Sequence, residues 1–113
     1  MCVLKFKKGV KLVGIQPEMV IFLTVALGVG DEMGLKELWV TSAVEGRHRR
    51  GSLHFIGGGL DLRNRASTGR LKRWPKKFTE KFARKLRACL TSEYDVVVER
   101  DHIHGEFQPK TQV

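Results

Sequence analysis

The sequence predicts an α+β domain built on a small, mainly antiparallel sheet with flanking helices. Three observations predict it. One apolar helical run lies in the first third, one amphipathic helical run lies in the second half, and short alternating or β-branched segments fall between and after them. The 113 residues make a single domain, 1–113, with no internal repeat and no linker long enough to divide it. Apolar residues at 42% are enough for a core, which excludes wholesale disorder.

Residues 3–15 alternate loosely between apolar and basic, giving a short edge strand or an irregular arm. Gln16-Pro17-Glu18 reads as a helix start, because proline suits the first helical position and Glu suits the positive helix end. Met19 to Met33 is apolar on most sides, which predicts a largely buried helix, with Gly34 as its C-cap. Its longest apolar stretch, Met19 to Val29, falls far short of the roughly twenty residues a membrane helix needs. Leu38-Trp39-Val40-Thr41 predicts a strand, and Leu60-Asp61-Leu62-Arg63 a second one with the leucines on one face. Arg63 is read as pointing away from Asp61. Between these strands, Ser42 to Gly59 is an irregular stretch rich in Gly, Arg and His, and residues 64–75 form a basic loop ending at Trp74-Pro75. Trp74 is read as a core residue or a cap on the following helix. Phe78, Phe82, Leu86, Cys89 and Leu90 recur at helical spacing among lysines and arginines, which makes an amphipathic helix. Tyr94 to Glu99 and His102 to Phe107 are the last two strands, joined through Arg100-Asp101 by an antiparallel turn or a bulged continuation.

The charge is +9, from 21 basic and 12 acidic residues. A small domain this basic is drawn to anionic polymers, whether nucleic acid or the anionic polymers of a bacterial envelope. Cys2 and Cys89 are too few for a disulfide framework and fit a reducing compartment. No apolar leader follows Met1, so the chain is expected to be cytoplasmic on synthesis and to reach the cell wall only after release.

His102 and His104 lie two apart on a strand and therefore share a face. His54 and Asp61 lie seven apart across a Gly-rich bend. Imidazole and carboxylate together are good zinc ligands, and three protein ligands with an open position is the catalytic pattern. Carboxylates accompany the histidines in both segments, Glu99 and Asp101 in the second.

Ser52-Leu53-His54-Phe55-Ile56-Gly57-Gly58-Gly59-Leu60-Asp61-Leu62 resembles the S-x-H-x-x-G-x-A-x-D-L signature of zinc peptidases that act on bacterial cell-wall peptides. These are the D-alanyl-D-alanine carboxypeptidases and dipeptidases and the phage L-alanyl-D-glutamate endopeptidases of the wider LAS group. Glu99-Arg100-Asp101-His102-Ile103-His104 is similar to their second signature, and Val40-Thr41-Ser42 and Tyr94 to Glu99 also look like the phage-type members. The resemblance runs from about residue 14 to Pro109. It implies a LAS-type core holding Zn2+ through His54, Asp61 and His104, with Asp101 as the catalytic carboxylate. His102 would then hydrogen-bond the bound water or the oxyanion. A second register, Glu99 with His102 as base and ligand, stays open. Ser52 is expected to hydrogen-bond a substrate carboxylate or a group around the metal. Arg47, with Arg49 and Arg50 beside it, is a candidate clamp for a stem-peptide carboxylate, against the plainer reading of a solvated basic loop. Two departures stand out: Gly59 where the pattern has Ala, and Gly105 where phage-type relatives tend to carry Val. A glycine there is expected to weaken the strand beside the ligand.

The implied activity is hydrolysis of peptidoglycan stem peptides by a monomeric enzyme, of D-Ala-D-Ala carboxypeptidase or L-Ala-D-Glu endopeptidase type, phage or prophage encoded, as in an endolysin. The alternatives are a small basic nucleic-acid-binding protein and a non-catalytic metal-binding or wall-binding module. No zinc-finger, helix-turn-helix or RNA-recognition signature supports the nucleic-acid reading.

Overall fold

The computed structural model describes residues 1–44, 58–65 and 73–109. Within them the order is β1 (Val3–Phe6), α1 (Pro17–Glu32), β2 (Glu37–Ser42), β3 (Gly59–Arg63), α2 (Lys76–Cys89), β4 (Tyr94–Val98) and β5 (His102–Phe107). The five strands form one sheet in the order β1-β2-β3-β5-β4. Three neighbouring pairs are antiparallel; β1 and β2 run parallel. The sheet is therefore mixed, though mainly antiparallel as expected. The parallel pair needs a crossover of a dozen or more residues, and α1 supplies it.

Proline opens α1 at its first turn, and the chain leaves the helix through Met33 into Gly34, whose φ of +81° suits glycine. Met19, Phe22, Leu23, Ala26, Val29 and Gly30 are buried, at the spacing of one helical face. The helix is less buried than the largely buried one expected: Val20 is 51% and Ile21 54% exposed. A sheet covered by two adjacent helices gives each only one apolar partner surface, so the outer side of α1 meets solvent. In α2, Thr79, Phe82, Ala83 and Leu86 are buried. Cys89, assigned to the apolar stripe from sequence, is exposed. Trp74 packs edge-on against Phe78 and tilted against Phe82, a core role at the start of α2.

The helices touch through a Lys85–Glu32 ion pair with 2.6 Å between Nζ and Oε1. Arg87 then ties α2 to the sheet by donating from Nε and Nη2 to the Val96 carbonyl at 3.2 and 2.7 Å. Leu38, Val40, Leu60, Leu62, Ile103 and Val96 are buried in the core that both helices join. In each strand the intervening residues project to the opposite face. No described helix is long and apolar enough to cross a membrane.

Two features shape the strands that carry the histidines. Between Val40↔Leu62 and Ser42↔Asp61 the register shifts, so β2 gains one residue, Thr41, opposite Asp61. In β5, Gly105 faces the helices. A Cβ there would lie 2.2 Å from Phe22 Cζ, inside the van der Waals boundary of a ring that is fully buried. The departure at this position thus makes room for an aromatic ring of α1. The cost in strand propensity is answered by close packing.

Gly105→Val should therefore destabilise the fold by about 1–3 kcal/mol or more, the usual range for overpacking. Adding Phe22→Leu should restore part of that loss in denaturant unfolding. An unchanged unfolding midpoint in the single variant would refute the contact.

Candidate functional site

β3 and β5 are neighbours in strict antiparallel register, with Asp61↔His104 and Arg63↔His102 as Cα partners. The two sequence motifs meet through this pairing. His102, His104 and Glu106 follow one another at spacing two on β5, so the pleat puts all three on the face away from the helices, beside Asp61. His104 Nδ1 lies 2.8 Å from Asp61 Oδ1, and His104 Nε2 lies 2.8 Å from Glu106 Oε1. His102 Nε2 stands 3.6 Å from the same Asp61 oxygen, while its Nδ1 contacts Asp101 Oδ1 at 2.6 Å. Two carboxylate–imidazole pairs, Glu106–His104 and Asp101–His102, thus converge on one oxygen of Asp61. The side chains of Asp61, His102, His104 and Glu106 are half-buried; that of Asp101 is 60% exposed.

The turn that holds Asp101 is fixed twice. The Glu99 N–H donates to the His102 carbonyl at 2.9 Å, closing the β4–β5 hairpin, so the link is the antiparallel turn. Asn64, buried at the end of β3, donates from Nδ2 to the Arg100 carbonyl at 3.2 Å. Asp101 and His102 line a cleft of about 190 Å³ with Asp61, Thr41, Lys7, Arg63 and Arg65. Glu99 lies instead in a second cleft, with Asn64, Arg73 and Trp74. The described geometry keeps Asp101 and His102 with Asp61 and puts Glu99 elsewhere.

Arg63 corrects the sequence reading. It lies two residues from Asp61 on one strand, so it shares that residue's face; it lines the same cleft, with its guanidinium carbon 5.1 Å from the centre of the Trp39 ring. With Lys7 and Arg65 it gives the cleft a cationic wall beside the carboxylates. Such a wall is suited to an anionic substrate group. Glu106 was missed as well. The alternation His102, His104, Glu106 carried the signal, since a third residue at the same spacing must share the face.

His54, Ser52, Arg47, Arg49 and Arg50 lie outside the described residues. Among the described residues no group of three or more His, Cys, Asp or Glu side chains is arranged to hold a metal ion. Two of the three ligands implied by the resemblance, Asp61 and His104, do stand together, with donor atoms 2.8 Å apart. Tetrahedral zinc with bonds of about 2.0–2.1 Å holds neighbouring ligand atoms roughly 3.3 Å apart. The pair is of zinc-ligand chemistry, but at 2.8 Å it is joined by a hydrogen bond and stands about half an ångström closer than two ligands of one ion would.

The electrostatics follow from the contacts. The hydrogen bond with Asp61 raises the pKa of His104 above its ordinary value; burial opposes the shift and Glu106 adds to it. The hydrogen bond with His102 holds the Asp101 carboxyl below the usual carboxylate range.

Comparison of the chain with protein-family models, with curated proteins and with solved structures finds no match in any of the three.

The raised pKa of His104 has a defined sign in stability. Protonation favours the folded chain, fully so below the ordinary value of 6.5, and the contribution is lost as pH rises through the raised value. In chelator-treated protein, the thermal midpoint should fall across that window. His104 should titrate by NMR above 6.5, and Asp61→Asn should lower its pKa and flatten the fall. An identical profile in Asp61→Asn would count against the Asp61–His104 interaction as its source.

Proposed function

We propose that the chain is a zinc-dependent metallopeptidase that hydrolyses peptide bonds in peptidoglycan stem peptides. The observation that carries this reading is the cross-strand pairing of Asp61 with His104, which joins two sequence motifs 43 residues apart in one half-buried cluster. The resemblance of two segments, in order, to cell-wall peptidase signatures supports it further. Zinc held by His54, Asp61 and His104 would polarise the scissile carbonyl and acidify a coordinated water.

The chain's own residues supply the rest. Asp101 holds His102 at Nδ1 and so turns Nε2 towards Asp61 and the cleft. As a pair they take a proton from the attacking water and return it to the leaving amine, the arrangement in which a carboxylate orients an imidazole base. The depressed pKa of Asp101 suits it to remain the anionic partner. Arg63, Arg65 and Lys7 provide cationic groups for a stem-peptide carboxylate or for the developing oxyanion. The scissile bond is of the D-Ala-D-Ala or L-Ala-D-Glu type, and the +9 charge favours adhesion to the anionic envelope.

Purified peptidoglycan incubated with zinc-loaded protein should release defined peptides, identified by mass spectrometry, and a chelator should stop the release. His104→Ala should lose zinc. Asp101→Ala should keep one zinc and lower turnover by about 100- to 10,000-fold, the usual weight of acid–base catalysis. One bound zinc with no released peptide would defeat the peptidase reading; no zinc at all would defeat the metal site too.

A further inference from the structure

We propose that the cleft at the start of α2 binds a phosphate ester with a neighbouring hydroxyl, as in a glycerol or sugar phosphate. This is the cleft that holds Glu99, apart from the histidine cluster, and the inference does not depend on a metal.

α2 begins after Pro75 with no hydrogen-bonding side-chain cap and no acidic residue in its first turn. Lys76 and Lys77 stand there instead. The first N–H groups of a helix have no partner within it, and that end carries a partial positive charge. Lysines beside it are unfavourable alone, and a bound anion reverses the sign of their contribution. The cleft has a volume of about 380 Å³, the size of a small-ligand site, and Arg73 and Arg100 line it with Lys76. Glu80 and Glu99 line it too, the Glu80 carboxylate lying 4.0 Å from Lys76 Nζ. Three cations outweigh two carboxylates, and the helix end adds to the positive side.

Asn64 is the second and independent observation. It lines the cleft and is only 4% exposed. Its carbonyl accepts from the Trp74 N–H at 2.8 Å, and its Nδ2 donates to the Arg100 carbonyl at 3.2 Å. A carbonyl can only accept, so the amide is held one way round, with its NH2 towards Arg100. The other atom, Oδ1, is buried without a hydrogen-bond partner. An acceptor left in that state costs free energy that a donor from a ligand would recover. An unprotonated phosphate oxygen cannot donate, whereas a hydroxyl can. The cations and the helix end therefore recognise the phosphate, and Asn64 recognises the hydroxyl. Glu80 and Glu99 accept from further hydroxyls and disfavour a bare anion. Trp74, packed against Phe78 and Phe82, supplies an apolar wall for the carbon skeleton.

The test titrates the zinc-free full chain with glycerol 3-phosphate, ribose 5-phosphate, methyl phosphate and glycerol, followed by 1H–15N NMR and calorimetry. The two polyol phosphates should shift the N–H resonances of Lys76, Lys77 and Phe78 and the side-chain NH2 of Asn64. The better of them should bind about 10-fold tighter than methyl phosphate, the weight of one buried hydrogen bond, and names the source of the ligand. Glycerol alone should not bind. Arg73→Gln combined with Lys76→Gln, both at exposed positions, should weaken binding by about 10-fold or more without moving the unfolding midpoint.

No shift with either polyol phosphate would overturn the site. Equal affinity for methyl phosphate would overturn the role of Asn64. Shifts spread over Lys5, Lys7 and Lys11 as strongly as over the start of α2 would reduce the binding to general surface charge and overturn the proposal. So would unchanged affinity in the double variant.

Discussion

The ring of Phe22 occupies the space where residue 105 would carry a side chain, and much of the molecule depends on that contact. It presses α1 onto β5, with Gly105 as the point of closest approach. The residues on either side, His104 and Glu106, project by the pleat to the other face, where Asp61 meets them. One glycine in an interior strand sets the distance between core and histidine cluster. A bulky residue there would displace the strand and everything projecting from its far side.

The polar cluster shows how such a face is kept stable. Asp61, His102, His104 and Glu106 are half-buried, and burying a charge without a partner is costly. Each histidine answers a carboxylate at each ring nitrogen, and each carboxylate answers a histidine. The cost of holding such groups together is met mutually, and the result is a set of side chains in fixed orientation before any ligand arrives. The bulge at Thr41 works alongside this. It relieves the register between β2 and β3 beside Asp61, where strict pairing would continue the ladder past the cleft.

Much of this was legible in the sequence because it is local. Pro17, the spacing of Phe82 and Leu86, and the β-branched run at Val96 to Val98 each specify an element through its own neighbours. The shared face of His102 and His104 follows from the same short-range rule. What escaped depends on partners distant in the chain. Nothing in Val3–Phe6 says that it pairs in parallel with β2, because that choice is made by where α1 returns the chain. Gly105 read as a weakness until Phe22, 83 positions earlier, was found against it. The outer side of α1 read as buried because hydropathy records what a residue tolerates, whereas exposure depends on how many layers the fold has. Glu106 and Arg63 were within reach of the period-two rule.

The attachment of Arg87 to the Val96 carbonyl has a consequence for how separate molecules meet. β4 is an outer strand of the sheet, with Val97 and Val98 partly exposed, and such a border invites a strand from another copy. A guanidinium from α2 occupies the middle of it with two donors, so an incoming backbone finds that carbonyl already engaged. The opposite border, β1, is flanked by the exposed lysines Lys5, Lys7 and Lys8, which repel a second cationic chain before it can dock. Both borders of the described sheet thus carry cationic groups that disfavour the docking of a further strand.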